Sequence, residues 1–493
     1  MKIKYLLSVI AIVAITKDSF AQYSQDAIRF STFQTGSTSR IKGIGNAGTA
    51  IGGDLSSISG NPAGLGFFTH SEASITPEFN GSKVNSTYLG QFNSDSKSSL
   101  NFSNASVVIY QRLSTPRGRD KTKGWLSINY GAAYSRTNNF YENITYGGKN
   151  TSNSISDYYA GIANSNGQLS EGGLDDWAYQ QNLIDRYPTT GGGSEYRRNA
   201  FGTVNQLNNT VRTGGQSEVN LAFGANYSNK LYLGIGISFS NIRYNSYNVF
   251  NETGTANILV NNVNTNANFN SNFVQDQVTT GSGANVKLGL IYKPVNALRL
   301  GFTFTTPTFY SINDSYTEGL STNFVNITNP EIKPVEYPLI YNMRTPLKLT
   351  GGAAIFIGKY GFISGDVDYI DYATTHISSN DNYSADFDNG NIKALYRSTI
   401  NAHVGAEARI NSMFYLRGGY GIQGSPLKTN GSDIKTVSGG IGVRFGSYYV
   451  DATYAHLSSG NQTVYPYEIG AGTPGADLKK TNNNAFLTFG YSF

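Results

Sequence analysis

Beyond residue 70 the chain alternates between apolar and polar positions. In Leu231–Ser240, the residues Leu231, Leu233, Ile235, Ile237 and Phe239 fall on one face, and Tyr232, Gly234, Gly236, Ser238 and Ser240 on the other. In Thr399–Ile410, one face carries Ile400, Ala402, Val404, Ala406, Ala408 and Ile410. The opposite face carries Thr399, Asn401, His403, Gly405, Glu407 and Arg409. A period of two is the mark of a β-strand, because successive side chains leave opposite faces of the pleat. A soluble sandwich would alternate as well. Here the apolar face is regular and flanked by Tyr and Phe, while the polar face holds small residues and charges, which fits lipid outside and a lumen inside.

The same pattern predicts fourteen strands, near 71–79, 98–112, 124–136, 216–228, 230–245, 283–293, 297–309, 345–357, 360–373, 396–410, 412–423, 432–445, 447–457 and 484–493. Tight turns at Asn229, Pro294–Asn296, Gly358–Lys359, Asn411 and Gly446 alternate with long segments at 137–215, 246–282, 310–344, 374–395 and 458–483. Short turns on one side and long loops on the other describe an outer-membrane barrel, with the long loops outside the cell. The expected fold is therefore all-β: a transmembrane antiparallel β-barrel over 71–493. Its last strand, "NAFLTFGYSF", places Ala485, Leu487, Phe489, Tyr491 and Phe493 on one face. A terminal aromatic on an alternating last strand, with Tyr491 and Phe493, is similar to the signal read by the bacterial outer-membrane assembly machinery.

The residues before the first strand do not alternate. Lys2 and Lys4, the apolar run Leu6–Ile15 and the small residues of Ser19-Phe20-Ala21 form a secretory signal peptide over 1–21, so that Gln22 begins the exported chain. The apolar run is too short to span a bilayer as a helix. Residues 22–70 read as compact turns and short helices. Asp54 can cap one helix, and Asn61 a second that starts at Pro62.

Composition narrows the function. Only 14% of the 493 residues are charged, against roughly 25% in soluble domains. There are 56 glycines, 35 tyrosines and no cysteine, which excludes disulfides, thiolate metal sites and a lipid-anchored cysteine. The net charge of +5 carries no dense basic patch, so no nucleic-acid partner is expected. The four histidines (His70, His376, His403 and His456) have no metal-ligand spacing. The acidic stretch Asp381–Gly390 lacks the glycine position and closing glutamate of a calcium loop. Gly43, Gly45 and Gly48 form GxGxxG without the preceding strand that a dinucleotide site needs. No GxSxG occurs, and neither an enzyme nor a cofactor or metal is expected. By alternation, Arg299, Lys348, Asp366, Asp368, Arg397, His403, Glu407, Arg409, Arg417 and Arg444 face the lumen, with Lys287 and Asp451. Charges inside a barrel need partners, so ion pairs and water are expected there.

The stretch "RIKGIGNAGTAIGGDLSSISGNPAGLGFF" resembles the N-terminal hatch of the FadL/TodX outer-membrane transporters. Gly43, Gly45, Gly48, Asp54 and Asn61-Pro62-Ala63-Gly64 carry the likeness, which extends through "YNMRTPLKLTGGAAIF" and "NAHVGAEARINSMFYLRGGYGIQGSP". The Asn-rich composition resembles Bacteroidota members of that family. The resemblance implies a 14-stranded barrel with residues 22–70 as a hatch inside it. It further implies passive, hatch-gated uptake of a hydrophobic ligand, a long-chain fatty acid or hydrocarbon, with lateral exit through a kink in the third strand. Gly131 is the expected kink, since glycine weakens strand pairing. Two alternatives stand beside transport: a scaffold for a protein-secretion or lipid-handling machine, and a non-selective porin. A continuous apolar pocket above the hatch would favour transport, and a lumen filled by charges and loop side chains would favour a scaffold.

Overall fold

The computed structural model describes residues 21–493 except 33, 35, 115–117, 119, 262, 326, 380–382 and 471. Residues 1–20 of the expected signal peptide lie outside the described residues. The wall begins with β1 (Glu72–Tyr88), β2 (Gln91–Arg112), β3 (Trp125–Asn139) and β4 (Glu142–Asn150). A small hairpin, β5 (Ile184–Pro188) with β6 (Ser194–Arg198), interrupts it. Three long strands follow: β7 (Ala200–Tyr227), β8 (Leu231–Val260) and β9 (Val263–Val295). Then come β10 (Leu298–Thr305), β11 (Phe309–Phe324), β12 (Val335–Arg344), β13 (Lys348–Ile357), β14 (Gly361–Asp371) and β15 (His376–Ser378). The chain closes with β16 (Ser398–Arg409), β17 (Phe414–Gln423), β18 (Ile434–Phe445), β19 (Tyr448–Val464) and β20 (Ala476–Ser492).

Eighteen of these segments form one antiparallel sheet. Four staves are each built of two segments in line (β3/β4, β10/β11, β13/β12 and β14/β15), so the wall is a closed 14-strand barrel. It closes where β1 pairs β20 from Glu72↔Ser492 to Tyr88↔Ala476. Closure matters physically, since an open sheet edge in hydrocarbon would leave backbone N–H and C=O groups without partners.

Side chains sort by face as the alternation requires. Along β1, Ser74, Thr76, Glu78, Asn80, Ser82 and Ser86 are buried inward, while Ile75 and Phe79 are exposed outward. A ring of exposed aromatics marks the end with short turns: Trp125, Tyr227, Tyr292, Tyr360, Tyr448, Tyr491 and Phe493. Phe79, Phe239, Phe309, Tyr369, Tyr420 and Tyr454 are exposed toward the other end. Such girdles sit at the two membrane–water interfaces, with the apolar belt between them.

A membrane span needs ~9–11 residues per strand. β7, β8 and β9 hold 28, 30 and 33 residues and therefore run far past the belt. Segments 246–282 and 310–344, read from sequence as loops, are strand over most of their length. Residues 80–97, unassigned from sequence, complete a β1–β2 hairpin through Leu89 and Gly90. Polar strands above the membrane bury neither face in lipid, so their alternation of Asn, Ser and Thr gives no hydrophobic period to read. Above the belt, α3 (Ile155–Asn166) and α4 (Leu174–Gln180) roof the barrel; they follow α1 (Ala21–Ser31) and α2 (Ser39–Gly43) of the N-terminal segment. Tyr159 and Trp177 are buried with Phe250, Phe269, Phe273 and Phe324, so these aromatics pack the roof.

Candidate functional site

The N-terminal segment lies inside the barrel and is bonded to most of its wall. Its local folds follow from a few polar caps. Asp54 accepts from Ser56 N at 2.9 Å and starts the 3-10 helix Leu55–Ile58. Asn61 accepts from Ala63 N at 3.1 Å and starts a second, Pro62–Phe67, with proline in its first turn. The same Asn61 donates to Thr49 O at 2.8 Å and to Leu290 O of β9 at 3.2 Å, so one side chain caps a helix and fixes it to the wall. Ala63 and Gly64 are buried in that helix.

Around the circumference, Ser39 N donates to Thr488 Oγ1 of β20 at 2.8 Å, and Thr453 Oγ1 of β19 donates to Ser39 O at 2.7 Å. Gly45 N donates to Ser438 Oγ of β18 at 3.1 Å. Ser364 Oγ of β14 donates to Ala47 O at 2.8 Å, and Asn129 Nδ2 of β3 reaches Phe68 O at 3.2 Å. Glycine permits this closeness. A Cβ on Gly405 or Gly419 of the wall would overlap the backbone of Ile44 and Gly45, and Gly45 itself holds φ +67°. Gly43 packs against Thr453 and Arg417, and Gly48 against Ile41.

Most of the lumenal charges meet either this segment or one another. Glu407 joins Arg40 of the hatch (2.8 Å) to Arg417 (2.7 Å), and Asp451 joins Arg417 (2.7 Å) to Arg444 (2.9 Å). Asp366 Oδ2 accepts from Thr49 N at 2.8 Å. Asp368 pairs with Lys348 at 2.9 Å, and His403 Nδ1 lies 2.8 Å from Gly45 O. Arg299 donates to Ile51 O and lies between the rings of Phe67 and Phe356, 4.3 and 4.0 Å from their centroids. Lys287 bonds Ser59 O and Glu218, both at 2.9 Å. Two expected lumen charges lie elsewhere. Arg397 is exposed at the loop end, donating to Ser425 O at 3.2 Å, and Arg409 is exposed at the short-turn rim, donating to Asn411 O at 3.2 Å. Both keep the inward parity of β16 but stand at its ends, where the strand has left the lumen.

The expected kink at Gly131 is not there. Gly131 pairs Val108 of β2 on one side and Ala222 of β7 on the other, in unbroken ladders. A Cβ on Gly131 would instead lie 2.6 Å from Ile58 Cγ1, so this glycine makes room for the hatch. The wall opens higher up. β2 pairs β3 only from Arg112↔Ser127 to Asn104↔Ser135, whereas β1 follows β2 to its end at Gln91. Above Asn104 the β2 edge over 91–103 has no strand partner on the β3 side among the described residues. A bulge opposite Pro77 marks the split, and it turns both Ser103 and Asn104 inward. β3 shifts register between Arg136 and Asn138, breaks at Phe140–Tyr141 and continues as β4 along β7. β4 then leans on β1 through side chains, Ser86 Oγ donating to Thr145 O at 2.6 Å.

The edge that β3 presents here is taken by the hatch. Gln34 N donates to Thr137 O at 3.0 Å, and Asn138 Nδ2 donates to Thr32 O at 2.9 Å. Across the seam, Asn139 Nδ2 donates to Ser99 Oγ at 3.3 Å. Behind the seam lies a cavity of about 190 Å³, lined by Ser103, Arg136–Asn139, Lys42, Glu78 and Lys480 among others. Lys480 shares Glu142 with Arg212, each at 2.6 Å. The half-buried Arg136 is bonded to neutral oxygens, Gly214 O at 2.9 Å and Asn139 Oδ1 at 3.3 Å. Burial lowers the pKa of Lys42, with Glu78 opposing the shift. No group of side chains among the described residues could hold a metal. The seam was hidden from sequence because β3 carries no proline or glycine at Arg136–Tyr141.

This fold has counterparts among solved structures. A Pseudomonas aeruginosa FadL homologue superposes with a TM-score of 0.54, covering 93% of this chain and 98% of that one at 10% identity. The fold is that of the FadL and TodX barrels. The P. putida toluene transporter TodX gives 0.50 over 92% of this chain and 98% of its own, at 13% identity. No protein-family model matches the sequence, and no curated protein matches it either. The FadL/TodX fold is thus shared across nearly the whole chain at identities of only 10% and 13%.

Proposed function

We propose that the chain is an outer-membrane transporter for hydrophobic small molecules with a polar head, in the first place long-chain fatty acids. The ligand moves passively and leaves sideways through the barrel wall. One observation carries this reading: the seam above Asn104 and Ser135, backed by a cavity and bonded to the hatch at Gln34 and Thr32. A very hydrophobic ligand gains little from a watery pore and much from a side exit into lipid. Arg136, half-buried with no ion-pair partner among the described residues, supports a carboxylate head. The related structures named for FadL and toluene transport support the hydrophobic class. Tyr491 and Phe493, exposed and stacked 5.8 Å apart, support recognition by the assembly machinery after export.

A second reading, a barrel that docks a secretion or lipid-handling machine, is favoured by the filling of the lumen. Two spaces within the lumen, among the described residues, measure about 120 and 190 Å³, below the ~300–1,000 Å³ usual for ligand pockets. On the transport reading, the hatch and α1 must therefore move to admit cargo. Mass spectrometry of protein extracted from outer membranes separates the two. Transport predicts a co-purified fatty acid or similar amphiphile that is depleted at least fivefold in Arg136→Gln. Only bulk phospholipid, in the amount carried by an unrelated barrel, would count for the scaffold.

A further inference from the structure

The first helix, α1, sits in the upper lumen within a shell of Phe140, Tyr244, Tyr310, Tyr341 and Tyr372. Its N-terminal end meets a concentration of buried negative charge. Asp388, on α5 (Asp386–Leu395), accepts from Ser24 N at 3.1 Å and from the Tyr383 hydroxyl. Gln277 Nε2 bridges Asp26 Oδ2 at 2.6 Å and Asp314 Oδ1 at 3.1 Å. Asp26, Asp314 and Asp388 are each at most 1% exposed. Arg29 pairs with Asp26, and Arg212, which also faces Asp26, is bonded to Glu142 at 2.6 Å. Asp314 Oδ2 and the Tyr341 hydroxyl are buried with no hydrogen-bond partner among the described residues, and the Tyr341 ring packs 5.6 Å from that of Tyr23. Among the described residues, three buried carboxylates face Arg29 and an Arg212 that also serves Glu142, which leaves the site short of positive charge, and an interior tolerates that poorly.

We propose that this site is the seat of the amino terminus created by export. Hydrolysis of the Ala21–Gln22 bond, with water as co-reactant, leaves a carboxylate on the released leader and an ammonium on Gln22. The Gln22 backbone nitrogen precedes that of Ser24 by two helical positions, about 3 Å of rise and within the same first turn. The new ammonium therefore arises beside Asp388, where it supplies the missing charge. Asp388 then both caps the helix and pairs with its terminus, and Asp26 and Asp314 add to the field. Processing would thus complete the plug: α1 locks into the lumen only after the leader is gone.

The test rests on cleavage after Ala21, which intact mass reads first; any other start overturns the proposal. The chain has no cysteine, so Ala27→Cys, at a fully buried position, reports the seating of α1 by its rate of maleimide labelling. Glutaminyl cyclase closes an N-terminal glutamine onto its own amide carbon, releasing ammonia and removing the charge. Cyclisation should speed labelling at least tenfold. Gln22→Ala, which keeps the ammonium and cannot cyclise, should be unaffected by the enzyme. In Asp388→Asn, labelling should already be fast, and cyclisation should add little. An unchanged rate on cyclisation, or equal acceleration with and without Asp388, would show a plain helix cap and overturn the proposal.

Discussion

Arg417 shows how a charge comes to sit inside this barrel. Its side chain is fully buried, and from β17 it links Glu407 of β16 to Asp451 of β19, on the far side of β18. Burying a guanidinium costs several kcal/mol in desolvation, and two carboxylates at 2.7 Å offset it. Arg417→Met should destabilise the barrel by about 3 kcal/mol, the lower end expected for breaking a buried pair. The loss should read as a lower temperature for the heat-induced mobility shift on a denaturing gel. No change in that temperature would mean that water, not the pair, solvates these carboxylates. Alternation placed Arg417, Glu407 and Asp451 inside from sequence alone, since parity along a strand is fixed by the pleat. It failed for Arg397 and Arg409 because parity says nothing of height, and both stand at the ends of β16.

At the scale of elements, the N-terminal segment is held inside the barrel by many weak bonds to the wall, as the proposed seal requires. Ser39, Gly45, Thr49 and Asn61 touch five different strands, and wall glycines such as Gly405 and Gly419 allow contact of backbone with backbone. Deleting residues 22–64 should leave a folded barrel and raise single-channel ion conductance at least tenfold in planar bilayers. Conductance equal to that of the intact chain would show that the roof alone closes the pore. Asp54, Asn61 and Pro62 made the short helices legible, because caps act within a few residues. The kink was not legible. Gly131 has the chemistry of a weak point, but a neighbour distant in sequence, Ile58, fills the space its missing side chain leaves. The true break at Phe140–Tyr141 arises from a bulge on the adjacent strand and from hatch bonds to Thr137 and Asn138. Those are tertiary causes that no local pattern records.

At the scale of the molecule, three layers stack along the barrel axis: the hatch at the short-turn end, α1 in the middle and the helical roof above the belt. The long polar strands raise the roof well above the membrane, which gives the upper lumen walls of protein rather than lipid. The seam lies where β2 leaves β3, and the hatch is bonded to the β3 side of it, so on the proposed transport reading a shift of the hatch would pull on the wall at the seam.

Sideways exit through this seam is the central claim, and pinning it shut tests it most directly. Ser99 and Asn139 already meet across it at 3.3 Å, and the chain has no cysteine to confuse a new pair. In Ser99→Cys/Asn139→Cys, fatty-acid uptake by outer-membrane-bearing cells should fall at least tenfold on oxidation and return on reduction. The same redox cycle should leave the native chain unaffected. Uptake undiminished in the crosslinked protein would contradict lateral exit and direct attention to a path through the hatch.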